Sequence, residues 1–183
     1  MERMNKDVYY MSLAILASAR STCVRRTVGC VAVKDNHIVA TGYNGSVSET
    51  THCTKDTCYR MVNNIPSGEK LDLCRAVHAE QNVICQAAIH GTNIHGATIY
   101  ITTSPCITCL KLLAQVGVRR IVILEPTYLN TDIAIDLCNE LNIEYECNWS
   151  PEEIKMFNDL TDISHGVTTH GCGGNCKCKG VTS

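Results

Sequence analysis

One stretch limits what this chain can fold into more than any other. It carries Cys74-Arg75-Ala76-Val77-His78-Ala79-Glu80 and, after a helix and a strand, Ser104-Pro105-Cys106-Ile107-Thr108-Cys109. An imidazole, a carboxylate two residues on and two thiols spaced i, i+3 can act together only if two helices begin side by side. His78 opens the first helix, which runs to His90 and is closed by Gly91. Ala97 to Thr103 forms the strand. The second helix spans Pro105 to Val116, with Ser104 as N-cap, Pro105 in its first turn and Gly117 past its end. Cys106 and Cys109 then share one face at a helix N-terminus. There the dipole and the free N–H groups favour the thiolate, the form that binds metal.

His78, Cys106 and Cys109 supply three ligands suited to zinc and leave a fourth position open, as catalytic sites do and closed structural sites do not. Glu80 is then free to move protons. Side chains at i and i+2 diverge in mid-helix, so His78 and Glu80 belong in the first turn. The rival reading is a closed site in which Cys74 is the fourth ligand and water has no place.

The rest of the chain fits a layered α/β domain. A helix covers Asp7 to Arg20, with Val8, Met11, Leu13, Ile15 and Leu16 apolar and several alanines of high helix propensity. Val28 to Lys34 and His37 to Gly42 form a hairpin about Asp35-Asn36. Tyr43 to Ser46 is a loop, and Val47 to Leu73 lacks periodicity, which in a compact domain marks a functional or externally held segment. Strands at Arg119–Leu124 and Ile143–Cys147 flank a helix at Thr131–Leu141. The element order predicts helices covering a mixed central sheet. Residues 1–150 form the main domain and 151–183 an extension. In the extension Pro151 to Leu160 can form a short helix, and the Gly-rich end carries His170, Cys172, Cys176 and Cys178 as a flexible tail or a further metal-binding element.

No apolar run approaches the roughly 18 residues that span a bilayer, and the N-terminus has no signal-peptide pattern. The expected location is therefore intracellular (cytoplasmic), with no membrane partner. In that setting thirteen cysteines point to metal rather than disulfides. A net charge of −2, one Trp and one Phe argue against a nucleic-acid surface, which needs basic and aromatic groups. Cys23, Cys53, Cys58 and Cys74 remain for a second, structural zinc that would tie down the 47–73 loop, with His52 able to replace one thiol. Cys30, Cys85, Cys138 and Cys147 read as core thiols. Arg25, Arg26 and Lys34 are either a solvated basic turn or a phosphate site.

His-x-Glu followed by Pro-Cys-x-x-Cys is the signature of zinc deaminases. Together with Ser21-Thr22-Cys23-Val24-Arg25-Arg26-Thr27-Val28-Gly29, Gly42-Tyr43-Asn44-Gly45 and Cys74-Arg75-Ala76-Val77-His78-Ala79-Glu80-Gln81-Asn82, it makes the chain resemble the deoxycytidylate (dCMP) deaminases of the cytidine deaminase superfamily. The resemblance runs from Ser21 to about Tyr145. It implies a three-layer cytidine deaminase-like fold and hydrolysis of dCMP to dUMP and ammonia, supplying dUMP for thymidylate synthesis. His78, Cys106 and Cys109 would hold the catalytic Zn2+ and Glu80 would shuttle protons. Asn44, Ala79 and Ser104 would bind substrate. Arg25, Arg26, Lys34, Tyr43, Asn44 and Gly45 would serve phosphate or effector binding. The family also implies a homo-oligomer, commonly a hexamer, activated by dCTP and inhibited by dTTP, with Mg2+ on the triphosphate. Two departures are visible: Ser46-Val47-Ser48 lacks the family's usual proline, and Val83 replaces a usual alanine. The alternatives are a deaminase of free cytidine or cytosine, one acting on a nucleic-acid base, and a zinc-stabilised binding module.

Overall fold

The computed structural model describes residues 3–126 and 131–166. In chain order its elements are α1 (Lys6–Ser18), β1 (Gly29–Lys34), β2 (His37–Tyr43), β3 (Gly45–Ser46), α2 (Tyr59–Val62), β4 (Ala76–Val77) and α3 (Ala79–Ile89). There follow β5 (Thr98–Thr103), α4 (Ile107–Gln115), β6 (Arg120–Glu125), α5 (Thr131–Glu140), β7 (Glu144–Glu146) and α6 (Pro151–Ser164). A 3₁₀ turn, Leu71–Leu73, precedes β4. His170, Cys172, Cys176 and Cys178 lie outside the described residues.

The main sheet has the order β2-β1-β5-β6-β7. Its first half is antiparallel, because β1 pairs with both β2 and β5 in that sense. Its second half is parallel, since β5, β6 and β7 are joined by the crossover helices α4 and α5. The expected mixed sheet is therefore what forms. Asp35 and Asn36 take positive φ of 50° and 62°, the left-handed pair that a tight hairpin with right-twisted strands requires.

Period-two alternation divides the strands between two cores. Cys30, Ala32, Ile99, Ile101, Ile121 and Ile123 face α3, α4 and α5, where Val83, Leu110 and Leu113 are fully buried. Val31, Val33, Tyr100 and Val122 face α1 and α6, where Met11, Ile15 and Phe157 meet them. Each such aliphatic side chain stabilises the fold by about 1.5–3 kcal/mol on burial. The result is helix, sheet and helix in three layers.

Four details differ from the sequence expectation. Gly45 pairs with Val77 and Ser46 with Ala76, forming a two-stranded ladder in what reads as loop. Pairs this short carry no periodicity. Helix α4 starts at Ile107 with Cys106 as its N-cap, so Ser104 belongs to the preceding turn. Helix α6 runs on to Ser164, begun by a Ser150–Glu153 capping box. Cys85 and Cys147 are exposed, while Cys30 and Cys138 are the core thiols. No helix among the described residues is long and apolar enough to cross a membrane.

A polar clamp locks the core beneath α1. Arg120 donates to both oxygens of Asp7, at 2.9 and 2.8 Å, and to Glu146. The Tyr100 hydroxyl donates to Asp7 at 2.6 Å. Helix α1 is thereby tied to β5, β6 and β7. The Arg120 guanidinium, more than any other group, holds the Asp7 carboxyl below its ordinary value. A depressed carboxylate stabilises the native state above its unfolded pKa, and that stabilisation is lost as pH falls through the folded pKa. Asp7→Asn is expected to cost about 1–2 kcal/mol in urea unfolding at pH 7, discounted because the clamp is partly solvated. At a pH below the usual carboxylate range the gap to the parent protein should close; a gap that persists there would mean the ion pair is not its source.

Candidate active site

The site forms where α3 and α4 begin, beside the carboxyl end of β5. Gly42 makes room for the first of these helices. A Cβ at this position would collide with the Ala79 carbonyl oxygen and crowd the Val83 amide, so a side chain there would lift α3 off β2. Ala79 and Val83 are accordingly fully buried. Asn82 Nδ2 donates to the Tyr43 carbonyl at 2.7 Å, fixing the rotation of α3 about its axis. His78 is the extended N-cap residue, and its N–H donates to Gln81 Oε1 at 2.9 Å. His78 and Glu80 thus occupy the helix start, as their spacing demands. On the other side, the Ser104 N–H donates to the Glu125 carbonyl at 3.1 Å, pinning the β5–α4 turn to the end of β6.

These two helix starts bring His78 Nδ1 to 3.6 Å from Cys106 Sγ and 3.4 Å from Cys109 Sγ. The three ligand atoms lie within 4.8 Å of one another, and among the described residues they are the group of three or more that can hold a metal ion. One nitrogen and two sulfurs fit zinc and leave a tetrahedral position free. Cys74 is not in the group, which removes the support for the closed four-ligand site.

The charges in this cluster depend on one another. A hydrogen bond from the Cys109 thiol, helped by His78 and opposed by burial, brings Cys106 down to about 4. The same bond, with burial, drives Cys109 far up. The titration of each thiol therefore depends on the other. The bond to Cys106 raises His78, against burial and the positive charge of Arg60. Glu80 is only 3% exposed, and burial is the main cause that lifts its carboxyl to about 7.

His78 and Glu80 line a cleft of about 270 Å³. This is near the lower end of the roughly 300–1,000 Å³ usual for ligand pockets. Ala79, Ser104 and Asn44 also line it, as the sequence reading expects of substrate-binding residues. Arg25, Arg26 and Arg60 line it too.

Asn44 has a second task. Its Oδ1 accepts from Ser21 Oγ at 2.7 Å and from the Val28 N–H at 2.8 Å, and its Nδ2 donates to the Arg26 carbonyl at 2.9 Å. The arginine turn is folded around this one amide.

Other expected residues lie elsewhere. Lys34 is at the hairpin end of β1, a full strand length from the cleft, and its Nζ donates to the Asn93 carbonyl at 3.4 Å. It does not join Arg25 and Arg26. Tyr43 and Gly45 line a separate hollow of about 300 Å³ between β2 and α3. The four thiols assigned to a structural zinc are not gathered: Cys23 and Cys74 line the cleft, whereas Cys53 and Cys58 are buried in the 47–73 loop. Cys53 accepts a hydrogen bond from Ser46 Oγ, and His52 beside it is exposed. Sequence reasoning missed Arg60. It stands alone in an aperiodic loop, and no motif distinguishes it from a surface arginine.

The cleft's chemistry agrees with comparisons to known proteins. The family model of the cytidine and deoxycytidylate deaminase zinc-binding region matches residues 4–125. The deoxycytidylate deaminases of Schizosaccharomyces pombe and Saccharomyces cerevisiae are each 38% identical over 120 residues, which is 66% of this chain. The matched stretch spans 37% and 38% of those two relatives' own lengths. The crystal structure of dCMP deaminase from cyanophage S-TIM5 in complex with dCMP and dUMP is 32% identical, with a TM-score of 0.63. That match covers 80% of this chain and 100% of the phage chain. The chain belongs to the cytidine and deoxycytidylate deaminase zinc-binding family.

Proposed function

We propose that this chain is a zinc-dependent deaminase that hydrolyses dCMP to dUMP and ammonia. The observation that carries the reading is a buried Glu80 beside a His78–Cys106–Cys109 cluster, in a cleft that three arginines also line. His78, Cys106 and Cys109 would hold zinc, which supplies Lewis-acid activation of water. Glu80, lifted to about 7, takes a proton from the attacking water near neutral pH and passes it to N3 of cytosine. N3 protonation makes C4 electrophilic, so oxygen adds there. Glu80 then carries the second water proton to the exocyclic nitrogen, which leaves as ammonia. Water supplies the oxygen of dUMP, and Glu80 ends as it began.

The arginines favour a nucleotide over a free nucleoside or base, because a neutral substrate gives them nothing to bind. Arg25 donates through Nη1 to the Ile65 carbonyl, which leaves its positive charge to face the cleft. The regulatory part of the reading comprises dCTP activation and dTTP inhibition with Mg2+ on the triphosphate, in a hexamer. Its support is the family resemblance and the hollow beside Tyr43 and Gly45, separate from the cleft. Supply of dUMP for thymidylate synthesis follows from the product. We assign the chemistry to residues 1–150 and place the enzyme inside the cell.

Glu80→Gln is expected to retain its zinc and lose about 10²–10⁴-fold in kcat. Ammonia release would be followed with dCMP, CMP, deoxycytidine, dCTP and a short cytosine-containing strand. Unchanged ammonia release in this variant would remove Glu80 from the proton path. No release by the parent protein from any of these substrates would leave the binding-module reading, and a preference for the strand would replace the nucleotide by a nucleic acid.

Metal analysis tests the ligands separately. Cys106→Ser is expected to lose the catalytic zinc. A second zinc that survives Cys106→Ser but disappears in Cys53→Ser would belong to the loop thiols; a single zinc unaffected by Cys53→Ser and Cys58→Ser would remove that site.

A further inference from the structure

Arg60 is delivered by α2, the single helical turn within the long loop. It is 7% exposed, which is unusual for a guanidinium without a carboxylate. No carboxylate among the described residues forms an ion pair with Arg60. Arg60 Nη2 donates to the Pro66 carbonyl at 2.9 Å, while its Nε is buried with no hydrogen-bond partner. Burying an ion without a counter-charge costs several kcal/mol, and an unmatched buried donor adds a further penalty. Such a group at the wall of a cleft is suited to pair with an anion.

The surroundings say which kind of anion. Arg60 lines the cleft together with Arg25, Arg26, Ser67 and Gly68. Arg25 and Arg60 both grip the 65–68 turn through backbone carbonyls, those of Ile65 and Pro66. Two guanidiniums, a hydroxyl and a glycine backbone make a socket for a tetrahedral oxyanion, with forked N–H donors matching its oxygens. Glu80, the proton carrier, opens on the same cleft.

We propose that Arg60 is the residue that selects a 5′-monophosphate, pairing its buried guanidinium with the substrate phosphate. Through the Pro66 carbonyl it also ties the 65–68 turn to the occupied cleft. The proposal rests on the deaminase reading above and deepens it. The phosphate completes a wall that the free protein leaves electrically unmatched, so binding order and loop order are linked.

Two measurements on the zinc-loaded full chain test this. The first compares kcat/KM for dCMP and for deoxycytidine in the parent protein and in Arg60→Gln. The expected result is a loss of about 100-fold for dCMP, with a collapse of the dCMP-to-deoxycytidine ratio. Equal losses on both substrates would overturn the proposal, because Arg60 would then serve only to hold Pro66. The second needs no turnover: inorganic phosphate is expected to raise the thermal midpoint of the parent protein and not that of Arg60→Gln, at matched ionic strength in chloride. A phosphate shift that survives Arg60→Gln would equally overturn it. Parent protein that releases no ammonia from dCMP, yet shows an Arg60-dependent phosphate shift, would sink the deaminase reading and leave the anion socket intact.

Discussion

Two helices must start within a few ångströms of each other, and the close contact of α3 with β2 makes this possible. Without a side chain at Gly42, the Ala79 carbonyl and the Val83 amide sit directly on the strand. Moving α3 outward by one methyl group would carry His78 away from thiols whose position is fixed independently, by the β5–α4 turn and its bond to Glu125. The valine in place of the family's usual alanine at position 83 belongs to the same contact. Its side chain is fully buried against β2 and adds apolar area to the seam that sets the site's geometry.

Around that seam the molecule keeps buried charge of both signs. Glu80 and Arg60 are each more than nine-tenths buried, although burial disfavours ionisation in both. For Glu80 the cost appears as a carboxyl lifted to about 7, which suits proton transfer at neutral pH. Arginine has no such escape, because its guanidinium stays charged at any pH the fold survives.

What could be read from the sequence was set by how tightly chemistry ties residue type to spacing. His-Ala-Glu and Pro-Cys-x-x-Cys were legible because three metal ligands and a proton carrier tolerate few alternatives and must open helices. The hairpin was legible through its valines and Asp35-Asn36. Propensity favours Ser104 as the N-cap of α4, but the helix begins at Ile107 with Cys106 as its N-cap, 3.6 Å from His78 Nδ1. Lys34 looked adjacent to Arg25 and Arg26 because sequence distance hides the length of a strand. Arg60 left no trace, since its meaning lies wholly in its burial. Of the Cys23, Cys53, Cys58 and Cys74 set, Cys23 and Cys74 line the cleft while Cys53 and Cys58 are buried in the loop, a placement that residue type alone does not give.

The loop after β2 joins these parts. Asn44 lines the cleft, while its neighbours Tyr43 and Gly45 line the separate hollow between β2 and α3. Successive residues of extended chain point to opposite faces, so one short segment forms a wall of both cavities. Asn44 also organises the arginine turn, and Tyr43 accepts from Asn82 of α3. Gly45 and Ser46 pair with the residues just before His78. A displacement of this loop therefore cannot stay local. It shifts Arg26 through Asn44, the helix carrying Glu80 through Asn82, and the approach to His78 through the β3–β4 ladder. The hollow and the cleft thus share one segment of backbone, which is bonded to both the arginine turn and the helix that carries Glu80.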